Sequence, residues 1–188
     1  MNVYDFDNTI YRGESGVDLF FYFLKKDPSL LKKIPNGAKL IVKYKTGEMT
    51  VQEILDNYVE EIVDYGESIE NFDAHVIDFW DKNARKIKPF YLKQRKADDL
   101  IISACPEIVL KEIMMRLELT NFMGTETEEG SMKLVRLMYG KNKLTAFKER
   151  YPDAKIKNFY TDSYSDRPLI EIAENAFMVR GNKVTKIK

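Results

Sequence analysis

Four short apolar runs, at residues 3–6, 100–102, 157–160 and 176–179, each break off into polar residues, and helical patterns separate them. Strands alternating with helices in this way imply an α/β fold: a mostly parallel sheet covered by helices on both faces. Ligands of such sheets bind beyond the carboxyl ends of the strands. The polar residues that follow the runs therefore converge on one site. They are Asp5 and Asp7 after the first run, Ser103 and Ala104 after the second, and Asp162 and Asp166 after the third. A weaker fifth strand candidate covers residues 120–123. Pro106 stands where a helix opens, with Ile108, Ile113 and Leu117 following. Asn142 is placed to cap a helix at 143–150 that Pro152 stops, and Ser165 to cap the one containing Pro168. Residues 127–132, with Gly130, suit a small hairpin or flap.

Residues 11–97 break the strand–helix rhythm and read as several helices. Their charges come in blocks. Residues 25–45 hold seven lysines and one acid, 48–81 hold eleven acids and no lysine or arginine, and 82–96 hold seven lysines and arginines. Neighbouring helices of opposite charge in a small bundle account for this pattern. A rival reading sets the basic segment LLKKIPNGAKLIVKYK against anionic lipid or a polyanion. It is the weaker one, because the apolar face of that segment has a bundle to pack into. Phe20, Phe21, Tyr22, Phe23 and Trp80 are expected in the same interior. The organisation expected is a core of residues 1–11 and 97–188 and a helical cap of residues 12–96.

Composition removes several classes of function. Thirty basic residues balance thirty acidic ones, so no basic excess points to nucleic acid. A single cysteine, Cys105, allows no internal disulfide and favours a reducing compartment. The start MNVYDFDNTI lacks the basic and apolar parts of a signal peptide, and no apolar run is long enough to span a membrane. A cytoplasmic location is the expectation.

Two aspartates two residues apart, Asp5 and Asp7, share one side of a strand end. Unrelieved, they repel each other and any anionic substrate. A divalent cation removes that conflict, and hard carboxylate oxygens suit Mg²⁺. A pair of turn-capping aspartates is the plainer reading of the motif alone. The Ser103 hydroxyl and the backbone amides after it, from Ala104 onward, suit a phosphate oxygen if a helix begins there. Lys143 offers a compensating charge, and Asp162 and Asp166 flank Ser163-Tyr164-Ser165 with further carboxylates. Each of these has an ordinary structural reading as a cap or a solvated side chain. Their order along the chain carries more weight than any one of them.

That order is DxDxT, then Ser, then Lys, then DSxxD, carried by YDFDNTI, IISACPE, GKNKLTAFKERYP and YTDSYSDRPLIEIAENAFMVRGN. It resembles the haloacid dehalogenase superfamily, in particular its phosphoserine-phosphatase-like branch, along the whole chain. The resemblance implies a Rossmann-like three-layer core with an inserted helical cap, and a Mg²⁺-dependent phosphatase acting through an aspartyl-phosphate. It implies Asp5 as nucleophile and Asp7 as acid, then base. Thr9 would support the loop, and Ser103 and Lys143 would hold the phosphoryl group. Asp162 would bind Mg²⁺ with Asp5 and the Asp7 carbonyl, and Asp166 would order the metal's water shell. Asp7 argues for phosphoesters over haloacids, since an alkoxide needs a proton to leave and a halide does not. Two departures stand out. Cys105 replaces the usual second serine of the middle motif, and Ser165 stands where phosphoserine phosphatases have asparagine. With no partner histidine in view, Cys105 is not expected to be a catalytic thiol, and the only histidine, His75, is expected to be structural or exposed.

For substrate, the resemblance points to a small phosphorylated metabolite. Glu14 lies where phosphoserine phosphatases place an acid against the substrate amine, and it is equally well placed as a helix-start acid. Two alternatives share the residues: phosphoryl transfer to another alcohol, as in a mutase, and a non-catalytic phospholigand-binding protein.

Overall fold

The computed structural model describes residues 1–33, 37–49 and 51–188. The sheet comprises β1 (Asn2–Asp5), β2 (Leu100–Pro106), β3 (Phe122–Thr127), β4 (Leu134–Arg136), β5 (Asn158–Thr161), β6 (Asn175–Arg180) and β7 (Lys183–Lys186). Their order is β4-β3-β2-β1-β5-β6-β7. The five inner strands are parallel, and β4 and β7 close the two edges antiparallel. Between β1 and β2 the chain forms α1 (Ser15–Lys26), α2 (Leu30–Lys33), α3 (Gly37–Thr46), α4 (Val51–Glu67), α5 (Phe72–Asn83) and α6 (Pro89–Gln94). The later crossovers carry α7 (Glu107–Arg116), α8 (Lys141–Arg150) and α9 (Arg167–Ile172). None of the described helices is long and apolar enough to cross a membrane.

The period-2 alternation of the inner strands sorts the core into two layers. Val3, Leu100, Ile102 and Phe159 face α8 and α9, in a cluster with Phe147, Leu169 and Ile170. Tyr4 and Ile101 face the other way, in a cluster with Trp80, Tyr91, Val109 and Leu110. Register keeps the layers apart, since Val3 lies opposite Leu100 and Tyr4 opposite Ile101. This is the expected three-layer α/β core.

Several local expectations change. β2 does not stop at Ser103 but runs to Pro106, because its pairing with β3 shifts between Ile102 and Pro106 and then resumes at Thr125. Helix α7 therefore starts at Glu107, with Pro106 just outside it. Asn142 does not cap α8: Gly140, at φ 54°, makes the turn, the helix starts at Lys141, and the Asn142 side-chain amide donates to the Leu137 carbonyl at 2.8 Å. Ser163, not Ser165, supplies the cap oxygen after β5, accepting from the Ser165 amide at 3.1 Å. The fifth strand lies at Phe122–Thr127 and pairs antiparallel with β4, so the hairpin expected near Gly130 is present. β7 carried no apolar signal, as all its residues are exposed.

Among the described residues, α1 and α5 pack into the apolar cluster of the core. Trp80 of α5 is fully buried against Phe6 and Tyr11, and its indole N–H donates to the Val109 carbonyl of α7 at 2.8 Å. Tyr22, Phe23, Phe79 and Trp80 belong to the same apolar cluster as Tyr4 and Ile101. Opposite charges do meet between α1 and α5: Lys26 lies 3.1 Å from Asp78, which also pairs with Lys82 of its own helix at 2.8 Å and accepts from the Tyr22 hydroxyl. His75, half-buried, sits beside that hydroxyl at 3.1 Å. Of the basic segment at 30–45, residues 34–36 lie outside the described residues.

Candidate active site

β1 is the central strand, and the chain runs outward from it to β2 and β3 on one side and to β5 and β6 on the other. Its carboxyl end is thus the topological switch point, where an open α/β sheet leaves a crevice. Asp5, the last residue of β1, sits there, 7% exposed. One of its oxygens, Oδ2, accepts from the Thr9 hydroxyl at 2.8 Å. The other, Oδ1, accepts from the Lys143 ammonium at 2.6 Å. Lys143, 3% exposed, reaches in from the first turn of α8 and also donates to Asp166 Oδ2 at 3.0 Å. That oxygen accepts in addition from the Thr161 hydroxyl at 2.9 Å, at the end of β5. One ammonium therefore ties the end of β1 to the turn after β5.

After Asp5 the backbone coils back on itself. Ile10 and Tyr11 donate to the Phe6 carbonyl, and Asn8, at φ 54°, donates to Gly13 at 2.9 Å. This turn brings Asp7 to the start of α1, where its Oδ1 accepts from the Ser15 amide at 2.6 Å. A carboxylate is favoured at a helix N-terminus. Glu14 occupies the cap position of the same helix without a side-chain capping bond.

Electrostatics set these carboxyls apart from ordinary ones. Burial, opposed by Lys143 and reinforced by Asp166 and Asp162, pushes Asp5 above the usual carboxylate range. Burial likewise pushes Asp7 up to about 7, against the bond from Ser15. Burial and then Asp166 raise Asp162 to about 6. Glu14 is raised by burial, then by Asp7 and Asp18. Burial works against the Lys143 charge, yet Asp5 and Asp166 outweigh it and hold the ammonium above its ordinary value. Cys105 is buried and its thiol is pushed up by burial, so it carries no thiolate to attack with.

The structure brings Asp5, Asp7, Lys143, Asp162 and Asp166, together with Thr9, into one electrostatic group. Ser103 is fully buried and follows Ile102, the register partner of Asp5. It stands mid-strand rather than at a helix start. Its hydroxyl accepts from the Cys105 amide at 3.0 Å, so that amide is spent locally, and the Ala104 carbonyl accepts from Thr125 at 2.7 Å. The hydroxyl's own proton is the donor that Ser103 has left to offer. Two groups near the site had no motif to announce them. Thr161 precedes Asp162 and orients Asp166. Lys88, 3% exposed, approaches from the return of the insertion and donates to the Asn8 carbonyl.

The donor set suits Mg²⁺, the metal that the family resemblance implies. It is made of oxygen, and three of its carboxyls are raised by burial, which a divalent cation would relieve. Asp166 Oδ1 is a buried oxygen without a hydrogen-bond partner, although Lys143 lies 3.0 Å away. Among the described residues no three acidic, cysteine or histidine side chains close on a point by themselves. Mg²⁺ needs no such cage, since it keeps waters and takes one or two carboxylates with phosphate oxygens.

Comparisons with known proteins bear on the fold and the family. No curated protein matches the sequence significantly. Among solved structures, a protein of unknown function from Bordetella pertussis Tohama I is similar at TM-score 0.67 and 16% identity, over 94% of this chain and 87% of the other. A phosphoserine phosphohydrolase-like protein from Francisella tularensis is similar at TM-score 0.59 and 20% identity, over 94% and 86%. A HAD family hydrolase from Salmonella enterica serovar Typhi gives TM-score 0.51 and 15% identity, over 91% and 59%. At such identities the likeness is one of fold. The family model for haloacid dehalogenase-like hydrolases matches residues 3–171, a span that holds β1, Lys143 and the acidic turn after β5: the chain belongs to the haloacid dehalogenase-like hydrolase family.

Proposed function

We propose that the protein is a Mg²⁺-dependent phosphatase that hydrolyses a small phosphomonoester through an aspartyl-phosphate on Asp5. The observation that carries this reading is the buried Asp5 carboxylate, held at one oxygen by Thr9 and at the other by a lysine shared with Asp166. A nucleophile so fixed meets the demand of phosphoryl transfer for alignment and neutralised charge.

In the first step an Asp5 oxygen bonds to phosphorus and the ester P–O bond breaks. The alkoxide takes the proton of Asp7, whose carboxyl, raised to about 7, is able to carry one near neutral pH. In the second step Asp7 accepts a proton from water. The resulting hydroxide attacks phosphorus, the acyl P–O bond breaks, and phosphate leaves with Asp5 restored. Lys143 and the Ser103 hydroxyl steady the phosphoryl oxygens. Asp5, Asp162 and the Asp7 carbonyl would hold Mg²⁺, with Asp166 ordering its waters; when bound, the ion supplies charge neutralisation. Residues 12–96 act as the cap in this reading. Their contact with the hairpin, from Glu67 to the Ser131 hydroxyl, supports enclosure of a small substrate. Glu14, beside Asp7, is placed to meet an amino group of that substrate.

Phosphate release from a panel of small phosphomonoesters, with and without Mg²⁺, tests the reading. Mg²⁺-dependent release that falls by about 10³-fold or more in Asp5→Asn is expected. Folded wild-type protein that releases no phosphate from any of them overturns hydrolysis, and product analysis with a competing alcohol then separates transfer from binding.

A further inference from the structure

The chain leaves the core through the turn after β1 and returns through the residues before α6, and the two linkers are bonded to each other. The Arg12 amide donates to the Lys86 carbonyl at 2.9 Å, and the Lys88 amide donates to the Ile10 carbonyl at 2.7 Å. Tyr11 and Ile87 form an antiparallel bridge between these bonds. The Lys88 side chain adds a third tie, from its ammonium to the carbonyl of Asn8. Asn8 joins Asp7 to Thr9 and has the left-handed backbone that side-chain-bearing residues seldom adopt. The orientation of its peptide thus affects both the Asp7 carboxyl and the hydroxyl that fixes Asp5.

Lys88 is an unusual group to find there. It is 3% exposed, yet among the described residues it forms no ion pair, and its hydrogen bond is to a single carbonyl. An ammonium has three N–H donors, so two remain. The charges it senses are Asp162 and Asp5, which attract it, and Arg12, which repels it. A buried cation short of partners costs stability unless something anionic completes its shell. The nucleophile pocket is where such an anion would arrive.

We propose that Lys88 is a second cation of the phosphoryl site, which clamps the Asp7–Asn8–Thr9 turn and offers its remaining N–H groups to the incoming phosphate. This deepens the phosphatase reading and rests on it. The return linker of the insertion would then be felt directly at the nucleophile.

The test compares Lys88→Met, which keeps the stem and removes charge and donors, with Lys88→Arg, which keeps both. Turnover on the best substrate, inhibition by inorganic phosphate, thermal unfolding and amide hydrogen exchange are read for each. Lys88→Met is expected to lose about 10–100-fold in kcat and about tenfold in phosphate inhibition, with an unfolding midpoint unchanged or higher. Lys88→Arg is expected to recover most of both losses. A Met variant with wild-type kcat and phosphate inhibition overturns the proposal, as does one that only unfolds more easily. If wild-type protein turns over no phosphoester, the phosphatase reading fails separately. Hydrogen exchange then decides the clamp: faster exchange at the Asn8, Ile10 and Tyr11 amides in Lys88→Met supports it, and unchanged exchange overturns it.

Discussion

The carboxyl of Asp7 has a cost that its proposed use explains. Its ordinary value lies near 3.8, and burial raises it to about 7 in the folded chain. Between those values the folded state keeps a proton that the unfolded chain has released, so stability falls as pH rises through that window. Asp7→Asn keeps an acceptor for the Ser15 amide and removes the buried charge. In EDTA at pH 7.5 this variant is expected to melt about 2–4 °C above wild type, on the order of 1 kcal/mol, with the gap closing towards pH 4. Its phosphatase turnover should fall by about 10²–10⁴, the contribution of one acid–base group. Differential scanning calorimetry across that pH range and kinetics on the same preparation check both halves. A variant that melts below wild type at pH 7.5 would show that the Asp7 charge stabilises the fold. Single residues of this kind were legible in the sequence because DxD and its partners lie beside strand ends. Their raised carboxyls were not, since burial depends on what covers them.

Among the elements, β2 and β3 fit most tightly. Gly124 lies where a Cβ would come within 2.6 Å of the Cys105 carbonyl oxygen, 2.9 Å of Glu107 Cγ and 3.0 Å of the Glu107 amide nitrogen. Two of these are backbone atoms at the β2–α7 junction and have little freedom to move. The Gly124 amide also donates to the Glu107 carboxylate at 3.1 Å. Gly124→Ala should therefore cost about 1–3 kcal/mol, seen as a lower urea midpoint at unchanged slope. An unchanged midpoint would mean that the junction yields without strain. The same close approach explains why β2 outran its expected end at Ser103. Its last residues pair with β3 across a register shift, an arrangement between chains that no local pattern announces. β7 escaped for a related reason, because an exposed edge strand has no apolar face to repeat.

In the whole molecule, one aromatic cluster joins the insertion to the core, and the chain's single tryptophan lies within it. Trp80 fluorescence therefore reports on the junction while far-UV circular dichroism reports on the helices everywhere. The two signals are expected to give coincident urea transitions, since the junction cannot open without exposing core apolar surface. An earlier fluorescence transition would show an insertion that detaches by itself. Trp80→Phe should cost about 1–3 kcal/mol, because it removes the indole donor to the Val109 carbonyl and leaves part of the buried ring's space unfilled. By itself, the sequence determined the parallel α/β core and the acidic residues at its strand ends, because strand alternation and short motifs are local. Only the tertiary structure decided which groups share a charge. Lys143 reaches Asp5 across 138 positions, Lys88 reaches Asn8 across 80, and Trp80 reaches Val109 across 29. Such pairings exist only once the sheet has set its strand order and burial has removed water from between the partners, so no local pattern encodes them.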